Sequence, residues 1–117
     1  MPRLEVIQPG ALSLLQDLGR RGFGHLGVSQ GGPVDLYAHC WANRLLGNPS
    51  TAATLEITLG QANFRAMDDL ALALTGADMS ATVDGKKLPP WQAIILIKGQ
   101  TLKLEFATIG LRAYLAV

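Results

Sequence analysis

Hydrophobic and polar positions alternate along most of the chain in short segments separated by turn residues. Residues 3–7 place Leu4 and Val6 on one side, before Gln-Pro-Gly interrupts the run. Further short apolar or alternating segments cover residues 11–15, 53–59, 61–65, 70–75, 80–83, 86–88, 93–97, 101–106 and 111–117. This pattern predicts many β-strands joined by short connections.

One segment, residues 36–46, follows a helical period instead. Its apolar side chains recur at the spacing of one helical face, at Ala38, Trp41, Ala42 and Leu45. Asp35 is a suitable N-cap, and Gly47 stands where a left-handed C-terminal cap is usual. Asn48-Pro49 prevents the helix from continuing. The sequence therefore predicts a helix over residues 36–46.

Details of the strand pattern suggest how the strands are covered. Leucines alternate with alanines over residues 70–75, so this strand should be packed on both faces, and residues 76–78 should then bend the chain. Asp84-Gly85 predicts a two-residue hairpin turn. Leu102, Leu104 and Phe106 are expected to point inward. The fold class predicted is mainly β with one helix, a barrel or sandwich capped by that helix.

The stretch from Gln16 to Asp35 contains six glycines in twenty positions, together with acidic, basic and histidine side chains. So many glycines disfavour a regular helix or strand, which indicates a shaped loop. The loop ends at the predicted helix N-terminus, where anions are favoured. We expect this stretch to form the functional surface.

Composition and charge remove several classes of function. The 117 residues are 49% hydrophobic with a net charge of +1, which predicts one domain over residues 1–117 and argues against nucleic-acid binding. Cys40 is the single cysteine, and the amino terminus lacks a signal-peptide pattern. No apolar run approaches the roughly 20 residues that span a bilayer. We therefore expect a cytoplasmic protein without a membrane partner.

Familiar catalytic signatures are missing from the sequence. The glycine-rich stretch has no Gly-Lys-Ser/Thr, and Ser29 lacks the preceding strand that a nucleophile elbow requires. His25 and His39 are the two histidines, without a partner at metal-ligand spacing, so we expect no metal site. His25 is either a solvated loop residue or a ligand-contacting acid-base group, whereas His39 is expected to be a hydrogen-bonded or exposed helix residue.

Several motifs in fixed order resemble those of the allophanate hydrolase subunit 2 family. They are Leu-Gln-Asp-Leu-Gly-Arg-Arg-Gly at 15–22, Gly-Val-Ser at 27–29, Gly-Pro-Val-Asp at 32–35, Ala-Asn-Arg-Leu-Leu-Gly-Asn at 42–48 and Leu-Glu-Ile-Thr-Leu-Gly at 55–60. The resemblance continues through residues 74–77 and 113–117. That family includes KipA-like proteins, the C subunit of 5-oxoprolinase and the matching half of the urea carboxylase carboxyltransferase domain.

The resemblance implies a cyclophilin-like β-barrel. It also implies that this chain is only the amino-terminal portion of a larger protein, because family members are commonly more than twice as long. The chain stops at Val117 inside an apolar strand, which likewise suggests a fragment. We do not expect the isolated chain to be active.

Three functions follow from the resemblance. The first is ATP-dependent opening of 5-oxoproline to glutamate, a hydrolase activity shared with a partner that is a 5-oxoprolinase B subunit or a KipI-like homologue. The second is transfer of carboxylate from biotin to a urea-like acceptor, so that the substrate is a small amide or lactam in either case. The third is a KipA-like regulatory module that antagonises a histidine-kinase inhibitor. ATP is the cofactor implied by the first function, and biotin by the second.

Both enzymatic reactions develop negative charge at a carbonyl oxygen, which requires fixed hydrogen-bond donors. We predict Asp17 and Arg20 as catalytic residues, since Arg20 can pair with a carboxylate or phosphate. Asp17 either orients Arg20 or contacts substrate, and Asp35 is either a helix cap or part of the site. The predicted substrate-binding residues are Gln16, Gly22, His25, Ser29, Gly32 and Asp35. Asn43 and Glu56 are predicted to support the loop by hydrogen bonding to its backbone.

Overall fold

The computed structural model describes residues 3–10, 12–16, 33–89 and 91–117. Within these ranges the chain is mainly β with one helix, as predicted. The elements are β1 (Leu4–Gln8), β2 (Leu12–Gln16), α1 (Leu36–Leu45), β3 (Thr54–Thr58), β4 (Ala62–Ala66), β5 (Leu70–Asp78), β6 (Thr82–Val83), β7 (Lys86–Lys87), β8 (Gln92–Leu96), β9 (Thr101–Leu104) and β10 (Ile109–Ala116).

The strands form two antiparallel sheets of five strands each. The first sheet has the order β1-β4-β9-β6-β7, and the second sheet has the order β2-β3-β10-β5-β8. The barrel implied by the family resemblance is wrong in this respect, because in the described part of the chain the two sheets do not close on each other. No ladder of the described strands joins the two sheets, which instead pack through apolar side chains.

The apolar core lies between the two sheets. Ile57 and Leu72 of the second sheet are fully buried with Phe64 and Leu102 of the first. Leu102 and Leu104 point inward as predicted, but Phe106 is 60% exposed because β9 ends at Leu104. The core is therefore continuous across the sheets and ends where the strands end.

Helix α1 covers the opposite face of the second sheet. Ala38 and Ala42 pack against Tyr114 and Ala116 of β10. Thr75 of β5 donates a hydrogen bond from Oγ1 to the carbonyl oxygen of Ala38, 2.6 Å away. Strand β5 is thus covered on both faces, which confirms the prediction from its leucine and alanine alternation.

The buried face of α1 differs from the predicted one. Its buried residues are Ala38, His39, Ala42 and Asn43, while Trp41 and Leu45 are half-buried. The helix turns this face inward because the ring of His39 is satisfied there: Nδ1 lies 2.8 Å from Thr54 Oγ1 and Nε2 lies 3.1 Å from the Ser50 carbonyl oxygen. His39 is therefore a buried, hydrogen-bonded residue.

Two of the turns have the positive φ values that their residue types favour. Asp84 and Gly85 have φ values of 48° and 84° and join β6 to β7, as the hairpin prediction requires. Gly47 has a φ of 73° directly after the helix. In the described part of the chain, no helix has the length and apolar character to cross a membrane.

Candidate functional site

Most of the predicted site residues belong to the glycine-rich stretch. Asp17, Arg20, Gly22, His25, Ser29 and Gly32 lie outside the described residues, and their roles stay predictions. Gln16, Asp35, Asn43 and Glu56 are described. Gln16 ends β2, is half-buried and pairs with Thr54 of β3.

Asn43 supports the loop after the helix. Its Nδ2 donates to the Ala52 carbonyl oxygen at 2.8 Å, while its buried Oδ1 has no hydrogen-bond partner within the described ranges. Asn43 thus fixes α1 against residues 48–53, and its described hydrogen bond does not reach the glycine-rich stretch.

Glu56 is the buried carboxylate at the start of α1. Only 4% exposed, it accepts hydrogen bonds at Oε2 from the Val34 backbone N–H at 3.0 Å and from the Tyr114 hydroxyl at 2.5 Å. The Tyr114 hydroxyl also accepts from the Asp35 backbone N–H at 2.8 Å. Two consecutive backbone N–H groups that lead into α1 are therefore held by side chains of β3 and β10.

Two observations describe the environment of this hydrogen-bond network. Asp35 is the N-cap of α1, since its Oδ1 accepts from the Ala38 N–H at 3.0 Å. Burial, followed by the hydrogen bond to Glu56, raises the pKa of Tyr114 to about 12. Tyr114 is therefore a neutral hydroxyl at physiological pH, able to donate and accept at once.

Arg112 meets the same carboxylate from the other side. Its Nε lies 4.0 Å from Glu56 Oε1, and its side chain is 29% exposed. The sequence reasoning missed Arg112 because it stands inside an apolar strand, far along the chain from Glu56. The one signal in the sequence that could have indicated a role for Arg112 is its charge within the otherwise apolar segment 111–117.

Arg112 lies beside an irregularity between β5 and β10. Ile109 pairs with Asp78 and Ala113 pairs with Gly76, so three residues of β10 oppose one residue of β5. Gly76 has a φ of +90°, and a Cβ there would lie 2.5 Å from the Arg112 carbonyl oxygen. Only glycine permits this close approach, and such bulges often re-aim a side chain next to a functional site. The strand therefore continues through Gly76 to Asp78, where the sequence had predicted a bend.

A cleft of about 480 Å³ lies between the start of α1 and this bulge. Its lining consists of Val34, Asp35, Gly76, Ala77, Asp78, Trp91, Ile109, Gly110, Leu111 and Arg112. Trp91 contributes an aromatic wall. Its backbone has a φ of 63°, and its backbone N–H donates to the Leu74 carbonyl oxygen at 2.8 Å. The volume suits a small molecule.

The polar groups of the cleft define what it can bind. Arg112 is the one cation of the described lining, and Asp35 and Asp78 are its carboxylates. The described residues contain no group of three or more side chains placed to hold a metal ion. The cleft therefore fits a molecule with an apolar body, an N–H donor and an anionic or carbonyl oxygen.

Comparison with known proteins places this arrangement in a family. The sequence model of the protein family described as carboxyltransferase domain, subdomain A and B, matches residues 26–117 of this chain. The chain is 40% identical over 114 residues to the C subunit of 5-oxoprolinase from Escherichia coli, covering 97% of this chain and 37% of that protein. It is 34% identical over 115 residues to urea amidolyase of Saccharomyces cerevisiae, covering 97% of this chain and 6% of that protein. The chain thus spans less than half of each relative.

Solved structures agree with the sequence relatives. The crystal structure of TTHA0988 matches with a TM-score of 0.91 at 37% identity, over 97% of this chain and 43% of that chain. The Kluyveromyces lactis urea carboxylase matches with a TM-score of 0.92 at 35% identity, over 97% of this chain and 10% of that chain. The chain therefore belongs to the carboxyltransferase domain family, subdomain A and B.

Proposed function

We propose that this chain is part of a protein of the 5-oxoprolinase C-subunit type. In this proposal it acts with a B-type partner in the ATP-dependent hydrolysis of 5-oxoproline to glutamate. The observation that carries the proposal is the 40% identity to the Escherichia coli C subunit over 97% of this chain. Because the chain spans 37% of that relative, the rest of such a protein would complete the site.

The proposed reaction breaks the lactam C–N bond. Water supplies a hydroxyl to the carbonyl carbon and a proton to the ring nitrogen, and ATP is hydrolysed to ADP and phosphate. The cleft supports such a substrate with Trp91 for the ring, carboxylate oxygens for the lactam N–H, and Arg112 for a negatively charged oxygen. The roles predicted for Asp17 and Arg20 belong to the same proposal.

The described lining of the cleft does not suit ATP. It holds one arginine and two carboxylates, and the carboxylates would repel a triphosphate. We therefore assign ATP to another part of the proposed assembly.

A second candidate is the carboxyltransferase part of a biotin-dependent urea carboxylase-type enzyme. The name of the matching family model favours it, as does the TM-score of 0.92 to the Kluyveromyces lactis urea carboxylase. The ureido group of biotin and urea itself carry N–H donors beside a carbonyl, which suits the carboxylates and Arg112 of the cleft. The KipA-like regulatory role stays a prediction from the sequence resemblance.

The test compares both substrates in one assembly. The full-length protein is reconstituted with its partner subunits, and ADP release is measured with 5-oxoproline or urea, each with and without bicarbonate and avidin. We expect 5-oxoproline to stimulate ATP hydrolysis without bicarbonate, insensitive to avidin, and only when all subunits are present. Stimulation by urea that requires bicarbonate and is blocked by avidin would support the second candidate and contradict the first.

Arg20→Ala tests the role predicted for the glycine-rich stretch. In the assembled enzyme this change should abolish turnover while leaving the circular dichroism spectrum unchanged, because Arg20 is predicted to serve the site. Arg65→Ala is the control, since Arg65 is an exposed residue of the first sheet, 3.9 Å from Glu5. Turnover at the wild-type rate in Arg20→Ala would contradict the prediction.

A further inference from the structure

The guanidinium of Arg112 is positioned by a carboxylate that is itself held in place. Glu56 Oε2 is engaged by the Val34 N–H and the Tyr114 hydroxyl, so Oε1 is left to face Arg112 Nε at 4.0 Å. Within the described ranges, Arg112 donates no side-chain hydrogen bond, although it lines the cleft. A guanidinium has five N–H donors, and the contacts within the described ranges leave most of them unused.

The two carboxylates of the lining restrict where an anion can bind. Asp35 and Asp78 each have one oxygen occupied, by the backbone N–H groups of Ala38 and Ser80 respectively. Their remaining oxygens accept hydrogen bonds and repel anions. A ligand that satisfies the whole lining therefore carries an N–H donor for a carboxylate and places its negative charge at Arg112.

Building on the proposed function, we propose that Arg112 is the specificity-determining residue of this cleft and pairs with the carboxylate of a carboxylate-bearing lactam. Glu56 is a positioning residue that holds Arg112 for this contact. An arginine fork and a carboxylate form two parallel hydrogen bonds, which a neutral amide such as urea cannot reproduce. The cleft would thus select 5-oxoproline over an uncharged amide of similar shape.

The test uses two probes with the same ring. The full-length protein, assembled with its partner subunits and without ATP, is titrated calorimetrically with 5-oxoproline and with 2-pyrrolidinone, which lacks only the carboxylate. We expect 5-oxoproline to bind at least about tenfold more tightly, as a charged hydrogen-bonded pair implies. Arg112→Gln should remove this preference, whereas the control Arg65→Gln should retain it.

A second variant separates binding from folding. Arg112→Gln leaves the buried carboxylate of Glu56 without its cation, which can destabilise the chain. The double variant Glu56→Gln/Arg112→Gln removes both charges together, and thermal unfolding will show whether each variant is folded. We expect the folded double variant to bind the two probes equally. Retained preference in that variant, equal binding by the wild type, or no binding of 5-oxoproline by the wild type would each overturn the inference.

The assembled enzyme distinguishes this inference from the proposed function. If the wild-type assembly hydrolyses 5-oxoproline, Arg112→Gln should raise the KM at least about tenfold. An unchanged KM would overturn the role of Arg112 and leave the proposed function standing. Selective binding of 5-oxoproline combined with no turnover by the same assembly would overturn the proposed function and support the carboxylate contact.

Discussion

The two faces of the second sheet are built from different chemistry. The face toward the first sheet forms the inter-sheet core, which contains large apolar side chains such as Ile57, Phe64 and Leu72. The face under α1 forms the helix layer, which contains small alanines and the five buried polar residues of the described ranges: His39, Asn43, Thr54, Glu56 and Thr75. The candidate cleft borders the helix layer.

This difference in chemistry shows that the inter-sheet core mainly stabilises the fold, whereas the helix layer mainly positions the elements around the cleft. Burial of apolar surface is favourable but has no preferred direction. Hydrogen bonds to buried groups are directional, and they require their partners in defined places. In the helix layer these bonds fix the start of α1 through Glu56 and Tyr114, and its body through Thr75. The geometry of the cleft therefore depends on the hydrogen bonds of the helix layer.

The largest effect should come from the inter-sheet core. Phe64→Ala should lower the free energy of unfolding by about 3 to 5 kcal/mol, because it removes a fully buried ring and leaves a cavity. Urea unfolding followed by far-ultraviolet circular dichroism measures this loss. Phe106→Ala is the matched control at a side chain 60% exposed, where we expect a change within about 0.5 kcal/mol. Equal losses in the two variants would contradict the division between the layers.

The sequence predicted the inter-sheet core better than the helix layer. Alternation places Leu102 and Leu104 inward correctly, because period two is a local property of a strand. Alternation also places the side chains of Glu56 and Ile57 on opposite faces of β3, but it cannot show that a helix will bury the face that carries Glu56. Phe106 was predicted inward because the pattern continues beyond the point where β9 ends.

The candidate site was predicted only where its signals are local. Asp35 was predicted as an N-cap from its position before the helical pattern, and the structure confirms the cap. Its contact with Tyr114 joins residues 79 positions apart, and Arg112 reaches Glu56 through strand pairing. Such long-range contacts depend on sheet order and on the bulge at Gly76, which no short motif specifies.

Tyr114→Phe should have the next largest effect. Loss of the hydroxyl leaves the part-buried Asp35 N–H without its acceptor and removes one donor from the buried carboxylate of Glu56, at a cost of about 1 to 3 kcal/mol in unfolding free energy. Tyr37→Phe is the control, since Tyr37 is 66% exposed and should change stability by less than about 0.5 kcal/mol. If the two variants unfold at the same urea concentration, the hydroxyl does not stabilise the helix layer.

The stabilisation by Tyr114 should also depend on pH. Its pKa is about 12 in the folded chain against an ordinary value of 10.0, mainly because the ring is buried and also because the hydroxyl donates to Glu56. Between these values the folded state binds more protons than the unfolded state, so stability falls as pH rises. The difference between wild type and Tyr114→Phe should be complete below pH 10 and should shrink up to about pH 12. A difference that stays constant over this window would contradict the assigned pKa.

Asp35→Ala should have the smallest effect of the series. The side chain accepts a hydrogen bond from the Ala38 N–H, and loss of such an N-cap costs about 1 kcal/mol. This cost is smaller than the one expected at Tyr114, because the cap is part-buried whereas the bond from Tyr114 to Glu56 is buried. Asp35→Asn keeps the capping oxygen while removing the charge, so its stability should stay close to wild type. In the same two variants, calorimetric titration with 5-oxoproline separates capping from ligand contact. If Asp35 only caps the helix, Asp35→Asn will bind the lactam as wild type does, whereas a carboxylate that accepts the lactam N–H will show weaker binding without loss of stability.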